Sequence, residues 1–329
     1  MLLEIKDLHV SFENDDGELV PAVEGVSLNL ERGQILGLVG ESGCGKSVTS
    51  MTIPRLVPSP PSRVVKGSVL LDGEDVLKMP LPRLREVRGG KIGVIFQNPM
   101  NSLSPLHRIG DQLVETLRLH RRTPKAAARQ TALEWLEKVG IPEPEVRARA
   151  YPFELSGGMQ QRVMIAMGLM LEPDLVIADE PTTALDVTIQ AQVLRLMRRL
   201  HRANSGVLLI THDMGVVSQM ATRIAVMYAG QIVETCDDAA AFFANPMHPY
   251  SRALLAAIPS AATRGKALAA IPGAVPPAGE FPAGCRFRER CSAARPECAH
   301  ASCDRLVPCG PGREVRCPFA GAAAAAAGK

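Results

Sequence analysis

Short apolar runs separated by polar and helical stretches form the pattern of the first two-thirds of the chain. Five runs have the length and composition of buried strands: 2–10, Gln34–Val39, Ile92–Phe96, Leu175–Ala178 and Val207–Ile210. Val187–Ala203, between the last two runs, has helical spacing, and another helix is expected from about Gly45 to just before Pro54, where proline ends it. Strands that alternate with crossover helices predict an α/β fold built on a parallel sheet.

This alternation is interrupted between about Asn98 and Tyr151, where polar and charged residues dominate. Within that stretch, Arg129–Val139 has the spacing of an amphipathic helix. We interpret the stretch as a helical subdomain inserted into the sheet domain.

The pattern changes again after about Asp237. Eleven of the 26 prolines fall between residues 246 and 318, and six of the eight cysteines fall between Cys285 and Cys317. This composition predicts a small, separate, cysteine-rich C-terminal appendage. The last ten residues, 320–329, are mostly alanine and glycine, and so short an isolated helix is marginal in water, so we predict that they are disordered.

Composition excludes several classes of protein. The net charge of +3 is too small to indicate nucleic-acid binding by itself. Apolar runs such as Val163–Leu171 are far shorter than the roughly 18 residues of a membrane span, and the charged residues within Met1–Val10 do not fit a secretory signal peptide. The chain is therefore expected to stay in the cytosol, where its eight cysteines are expected to be metal ligands, catalytic thiols or buried apolar residues rather than disulfides.

A glycine-rich loop follows the second predicted strand and precedes a predicted helix. It fits the pattern G-x-x-x-x-G-K-[ST] with eight consecutive residues: Gly40, Glu41, Ser42, Gly43, Cys44, Gly45, Lys46 and Ser47. The glycines let the backbone wrap phosphates, the lysine reaches the β- and γ-phosphates, and the serine hydroxyl ligates Mg²⁺. The loop therefore predicts a nucleoside triphosphate site.

Polar side chains follow three other predicted strands, at the sheet edge where α/β proteins bind ligands. Asp179 and Glu180 come after one strand, and we expect Asp179 to hold Mg²⁺ and Glu180 to polarise an attacking water. His212 follows the next strand and can bond the γ-phosphate. Gln97 follows another and can reach Mg²⁺ or the water through its amide. Taken alone, each would be an ordinary turn residue; the phosphate loop makes a shared catalytic site the better interpretation.

A second phosphate-binding element is predicted at Leu155–Arg162, whose sequence is Leu-Ser-Gly-Gly-Met-Gln-Gln-Arg. Two glycines behind Ser156 expose backbone N–H groups at a helix N-terminus, where anions are favoured.

Together with Ala184-Leu185-Asp186, these elements resemble, in order, the nucleotide-binding subunit of an ATP-binding cassette (ABC) transporter over residues 1–237. The resemblance implies a P-loop (RecA-like) ATPase that pairs head to tail, with two ATP molecules between the two subunits. The signature residues Ser156, Gly157, Gly158 and Gln160 would then contact ATP held by the other subunit. It also implies an aromatic residue against adenine, for which Phe12 is the best-placed candidate.

A narrower resemblance covers nearly the whole chain. Phe96–Pro105, Asn245–Tyr250 and the terminal cysteines are similar to the dipeptide, oligopeptide and nickel importer branch, although Asn98 stands where many relatives have aspartate. The domains implied are an ATPase core at 1–97 and 160–237, a helical subdomain at 98–159 ending in the signature, and an importer-type extension at 238–329.

This branch implies particular partners. We expect a paralogous ABC ATPase subunit or a second copy of this chain, two membrane permease subunits, and indirectly an extracytoplasmic substrate-binding protein, but no nucleic acid. The subunit would lie peripherally on the cytoplasmic face of the inner membrane and drive peptide import, or import of nickel or another solute, by ATP hydrolysis.

The cysteines Cys285, Cys291, Cys298 and Cys317 have the spacing C-x₅-C-x₆-C-x₁₈-C, with Cys303 and Cys309 inside the last interval. Thiolates in proline- and glycine-rich loops suit an iron–sulfur cluster or tetrahedral Zn²⁺, and the spacing lacks the close C-x₂-C pairs common in both. Resemblance to the importer branch favours a [4Fe–4S] cluster. Zn²⁺ and unliganded thiols remain alternatives.

Two other functions are compatible with parts of the sequence. A soluble cassette ATPase acting on nucleic acid or ribosomes would usually carry a long coiled-coil insertion or a second cassette. An iron–sulfur regulatory module with a vestigial ATPase would not need Lys46, Asp179, Glu180 and His212 together.

Overall fold

The structure is a computed structural model that describes residues 1–183, 185–258, 270–300 and 305–320. The strands are β1 (Leu3–Glu13), β2 (Leu19–Leu30), β3 (Ile35–Val39), β4 (Ser62–Leu71), β5 (Glu74–Asp75), β6 (Ile92–Ile95), β7 (Leu175–Asp179), β8 (Gly206–Thr211), β9 (Arg223–Tyr228), β10 (Gln231–Cys236), β11 (Val307–Pro308) and β12 (Arg313–Val315). The helices are α1 (Lys46–Thr52), α2 (Leu81–Gly90), α3 (Pro99–Ser102), α4 (Ile109–His120), α5 (Lys125–Lys138), α6 (Pro144–Arg147), α7 (Gly157–Leu169), α8 (Val187–Leu200), α9 (Met214–Met220), α10 (Ala239–Ala244) and α11 (Pro249–Ala256).

The larger sheet has the order β11-β12-β10-β9-β3-β8-β7-β6. Its five strands from β9 to β6 are parallel, whereas β10 and β12 pair antiparallel. Every residue of β3, β7 and β8 is buried, which is why these strands appear in the sequence as uninterrupted apolar runs. The prediction of an α/β fold on a parallel sheet is confirmed, and the carboxyl ends of β3, β6, β7 and β8 meet at one edge.

A second, antiparallel sheet of order β2-β1-β4-β5 packs on the first. Only β1 was expected from the apolar pattern. The core between the sheets joins Ile5 and Leu8 of β1 to Leu36 and Leu38 of β3. Because one face of this sheet is covered and the other is largely exposed, its strands alternate in character and give a weaker sequence signal than β3.

Four helices, α3 to α6, occupy the segment predicted to be a helical insertion. The amphipathic helix expected at Arg129–Val139 is α5, which begins earlier, directly after Pro124. Trp135 and Leu136 of α5 pack with Leu113 of α4 and Val163 of α7 in one core cluster. The insertion therefore rests on the helix that follows the predicted signature.

The C-terminal extension packs onto the larger sheet. Strand β12 pairs with β10, and β11 pairs with β12, so two strands of the extension extend the sheet edge. Phe287 is buried, with its ring centroid 5.2 Å from those of both Tyr228 and Tyr250. Phe242, Tyr250 and Phe287 of the extension thus share a core with Val39 and Val226 of the larger sheet, so the described part of the extension is not the separate appendage expected from the composition.

No helix in the described ranges is long and apolar enough to cross a lipid bilayer. The tail predicted to be disordered spans residues 320–329, but Ala320, its first residue, is buried. Residues 321–329, like Cys303 and Ala184, lie outside the described residues.

Candidate functional site

The glycine-rich loop connects the end of β3 at Val39 to the start of α1 at Lys46. Gly40 has a φ of 154°, and a Cβ atom there would lie 2.2 Å from the carbonyl oxygen of Met227 on β9. Only glycine fits so close to a neighbouring strand. Lys46 is 5% exposed, and its Nζ donates to the carbonyl oxygens of Gly40 and Glu41, both at 2.8 Å. The lysine thus folds back over the loop, beside the space that phosphates would fill.

Cys44 belongs to the same loop but its side chain is fully buried. Burial raises the pKa of the thiol, although the neighbouring Lys46 acts in the opposite direction. The Sγ atom accepts from Lys46 Nζ at 3.6 Å. Cys44 is therefore a protonated core residue, and only its backbone can serve a bound phosphate.

Asp179 ends β7 beside the start of α1. Ser47 Oγ donates to Asp179 Oδ1 at 3.2 Å, so the two residues predicted to hold Mg²⁺ touch each other. Burial raises the pKa of Asp179; the Ser47 hydrogen bond opposes the shift, and the neighbouring Glu180 adds to it. A divalent cation at this position would replace the hydroxyl as the partner of the carboxylate.

Glu180 sits at the turn after β7 in a left-handed conformation, with φ of 46°. Its Oε1 is 2.8 Å from His212 Nδ1, and its Oε2 accepts from Gln97 Nε2 at 2.7 Å and from Thr183 Oγ1 at 2.9 Å. Burial acts to raise the pKa of Glu180, but the bonds from His212 and Thr183 outweigh it and leave the pKa lowered. The carboxylate is therefore ionised at neutral pH, and two predicted residues, Gln97 and His212, meet at it. The third partner, Thr183, was not expected from the sequence.

A cavity of about 640 Å³ opens above the phosphate loop. Gln97, Glu180, Thr183 and His212 line it together with loop residues from Gly40 to Ser47. The C-terminal extension also contributes to the wall, through Leu254, Ala278 and Phe281. Asp179 borders this space through Ser47. The sequence does not predict that the extension lines the cavity, because the pattern of apolar and polar positions does not link residues more than 200 positions apart.

Phe12, the residue expected to face adenine, lies in β1 opposite Val20 of β2. Its ring is half-buried and packs on the core cluster between the two sheets, and the cavity lining does not include it. An aromatic residue that does line the cavity is Phe281, and the guanidinium carbon of Arg286 lies 4.2 Å from its ring centroid.

The predicted signature forms the start of α7. Ser156 is the N-cap residue and its hydroxyl accepts from the N–H of Met159 at 3.4 Å. Ser156 and Gly157 are exposed, and nothing lies within 4 Å of a Cβ built on Gly157. Gln160 is instead buried, and its amide donates to the carbonyl oxygens of Pro152 and Leu155. None of these residues lines the cavity over the chain's own phosphate loop.

Three other C-terminal cysteines, Cys291, Cys298 and Cys317, lie near Cys285. Burial raises the pKa of Cys285 to about 11, and the neighbouring thiols of Cys298, Cys317 and Cys291 contribute to the rise. The backbone N–H of Cys285 donates to the carbonyl oxygen of Cys298 at 2.8 Å. Within the described ranges, however, no three His, Cys, Asp or Glu side chains are arranged to hold a metal ion. The predicted cluster or zinc site therefore gains no support beyond the proximity of these four cysteines.

Comparison with known families matches two parts of the chain. Residues 23–183 match the family described as "ABC transporter", and residues 233–298 match "Oligopeptide/dipeptide transporter, C-terminal region". The first match includes the phosphate loop, the insertion and Glu180, and the second includes the first three of the four clustered cysteines.

Individual proteins similar to this chain have names that agree with the two family matches. The oligopeptide transport ATP-binding protein OppD of Bacillus subtilis is 50% identical over 88% of this chain and 81% of its own length. The probable D,D-dipeptide transport ATP-binding protein DdpD of Escherichia coli is 48% identical over 94% of this chain and 93% of its own length. Among solved structures, the ATP-binding cassette MJ0796, in a dimeric post-hydrolysis state with ADP and Pi, superposes with a TM-score of 0.63 at 29% identity, covering 70% of this chain and 96% of that one.

Proposed function

The chain belongs to the ATP-binding subunits of ABC transporters, and from this membership we propose that it is the ATP-hydrolysing, energy-coupling subunit of a peptide importer. The observation that carries the proposal is the meeting of Gln97, Thr183 and His212 at the carboxylate of Glu180, in one cavity with Lys46 and Ser47. The names of the relatives and the match at 233–298 support peptides as the cargo.

In this proposal the chain's residues bind and orient Mg-ATP. Lys46 Nζ leaves the carbonyl oxygens of Gly40 and Glu41 for the β- and γ-phosphates, and Ser47 with Asp179 holds the cation, with Gln97 as a further ligand. When bound, Mg²⁺ neutralises charge that develops on the phosphates. The loop contributes its N–H groups at the start of α1.

Glu180 acts as the base in this scheme. Its pKa is lowered, so it is ionised and can accept a proton from the attacking water. His212 and Gln97 hold the two carboxylate oxygens in place, which fixes the direction in which the base acts. Gln97 also follows β6 and precedes α3, so its position changes with that of the helical insertion.

The signature is proposed to work in trans. Ser156 and Gly157 are exposed at the N-terminus of a 13-residue helix and stay apart from the cavity of their own chain. An exposed helix N-terminus favours anions, so a second subunit facing it head to tail would present ATP there. Hydrolysis by the isolated chain should therefore be slow until such a subunit, paralogous or identical, is present.

The permease partners are proposed to dock on the helical insertion. Met100, Leu106 and Phe153 expose 70%, 82% and 72% of their surface in or beside this region. Several large apolar side chains exposed in one subdomain favour an interaction surface there. Docking there would place the subunit peripherally at the cytoplasmic face of the membrane.

We also propose that Cys285, Cys291, Cys298 and Cys317 hold a [4Fe–4S] cluster, with Zn²⁺ as the alternative. Their proximity supports a shared ligand, since four thiolates suit either metal. Protein purified without oxygen should contain about four iron atoms per chain and absorb visible light. One zinc atom and no iron per chain would show that the site holds Zn²⁺ instead of the cluster. The absence of both metals would contradict the site.

The transport function is tested by purifying the tagged chain from the membranes of the cells that naturally produce it. We expect two membrane subunits to co-purify, and ATP hydrolysis to rise when a peptide-loaded binding protein is added. Lys46→Ala should co-purify equally but bind no ATP, which separates assembly from nucleotide binding. Recovery with nucleic acid and no membrane subunit would refute the proposal, and stimulation by nickel instead of peptide would change the cargo.

A further inference from the structure

One residue of the phosphate loop has the wrong charge for its position. Glu41 lines the cavity beside Lys46, and its carboxylate would repel the phosphates of a nucleotide or attract the ammonium group that must bind them. A carboxylate at this point therefore needs a partner.

That partner comes from the C-terminal extension. Arg290 Nη1 donates to Glu41 Oε2 at 2.7 Å, and Arg290 Nη2 donates to Glu41 Oε1 at 2.8 Å. The Arg290 side chain is 6% exposed and that of Glu41 is 30% exposed. Two parallel, charge-assisted bonds at a mostly buried guanidinium fix both the charge and the orientation of the carboxylate.

Arg290 is itself held in place on several sides. Its Nε donates to the carbonyl oxygen of Pro272 at 2.7 Å, and its guanidinium lies 5.7 Å from the ring centroid of Tyr228. Bonding to Glu41 raises the pKa of Arg290 despite its burial, so the group stays charged. The pair is thus a fixed contact, unlike an exposed ion pair that forms and breaks.

The extension also holds the backbone of the same residue. The N–H of Glu41 donates to the hydroxyl of Tyr250 on α11 at 2.8 Å. Glu41 is therefore fixed through its side chain and its backbone by residues that lie more than 200 positions later in the sequence.

We propose that Arg290 is a positioning residue for nucleotide binding: it neutralises and orients Glu41, so that Lys46 and the loop N–H groups are available to the phosphates of ATP. The inference rests on the proposed ATP-binding function. Because Arg290 directly precedes Cys291, full nucleotide affinity then requires the cysteine-bearing segment to be folded.

The test compares ATP affinity by titration calorimetry on the full chain. Arg290→Gln leaves an uncompensated carboxylate in the cavity and should raise the Kd for Mg-ATP by about tenfold. Glu41→Gln with Arg290→Gln removes both charges and should restore most of the affinity. A purely structural role for Arg290 predicts no such rescue, because the second change removes a further contact.

Arg313→Gln is the matched control. Arg313 also links the extension to a core carboxylate, donating to Glu234 at 3.1 Å, but it does not line the cavity. Its substitution should alter thermal stability and leave the Kd within about threefold of the unaltered chain. Arg290→Lys keeps the charge but loses the paired bonds, so it should raise the Kd by a smaller factor than Arg290→Gln does, about threefold. It serves if the glutamine variant does not fold, and an unchanged Kd would then contradict the proposal.

Each outcome decides between the proposals. Equal affinity of Arg290→Gln and the unaltered chain, no rescue in the double variant, or an equal loss in Arg313→Gln would overturn the positioning role. Absence of ATP binding by the unaltered, folded chain would instead overturn the proposed function.

Discussion

Replacing Glu180 with glutamine isolates the chemistry of the proposed base from its place in the fold. Both side chains have the same shape. The new amide oxygen can accept from Gln97 and Thr183 as Oε2 does, and the new NH₂ group can donate to His212 Nδ1 once the ring proton lies on Nε2. All three contacts are therefore retained, and stability should change by less than about 1 kcal/mol.

The effect on hydrolysis should be much larger. An amide cannot take a proton from water at neutral pH, and loss of a positioned general base lowers the rate by about 10²- to 10⁴-fold. This corresponds to a barrier raised by roughly 3–5 kcal/mol. Binding of Mg-ATP should be unaffected or tighter, because the variant loses a negative charge from the cavity and keeps Lys46, Ser47 and Asp179.

Single-turnover release of phosphate by the assembled transporter measures the rate, and size-exclusion chromatography with ATP detects closed dimers. We expect the variant to accumulate dimers that the unaltered chain forms only transiently. Glu172→Gln is the control, since Glu172 also has a positive φ, of 55°, but pairs with Arg202 away from the cavity. Phosphate release within about threefold of the unaltered rate would refute the assignment of Glu180 as the base.

Three other predictions test the buried groups around the site. Burial lowers the pKa of His248 from 6.5 to about 3, so between these values the unfolded chain binds more protons than the folded one, and stability falls as pH drops through 6.5. His248→Asn keeps the helix cap and should remove about 2 kcal/mol of this loss at pH 5. Thermal melting of both proteins at pH 7 and pH 5 measures the difference. Asp179→Asn should abolish the increase in ATP affinity on adding Mg²⁺, measured by calorimetry, and an unchanged increase would contradict its role. Gly40→Ala, whose Cβ would clash with Met227, should destabilise the fold by roughly 3–5 kcal/mol in urea, and a variant as stable as the unaltered chain would contradict the close packing.

The features that were predicted well from the sequence are set by residues that are neighbours along the chain or that directly follow a strand. A buried parallel strand is a continuous apolar run, and the residue after it must lie at the sheet edge. This is why Gln97, Glu180 and His212, which are far apart in sequence, were expected together and are found in contact. The helical insertion was expected for a similar reason, since its α5 has a periodic apolar face.

The parts that escaped prediction depend on long-range packing. The bond between Arg290 and Glu41 joins a proline-rich coil to a loop, and neither segment has a periodicity that specifies the other's position. Phe281 reaches the cavity for the same reason. Phe12 is the converse case: its place in the sequence suggests the nucleotide, yet its ring packs on the core between the sheets.

The contact between Arg290 and Glu41 spans 249 residues, which has a consequence for the order in which the protein matures. A ribosome that adds about 5–20 residues per second makes Arg290 roughly 10–50 s after the phosphate loop. Under the proposed role of Arg290, a nascent or truncated chain would carry a loop with an uncompensated carboxylate and would bind ATP poorly. Nucleotide affinity would then report that synthesis has passed Arg290 and that the extension has folded against the sheet, and incomplete subunits would be kept from the ATP-dependent step.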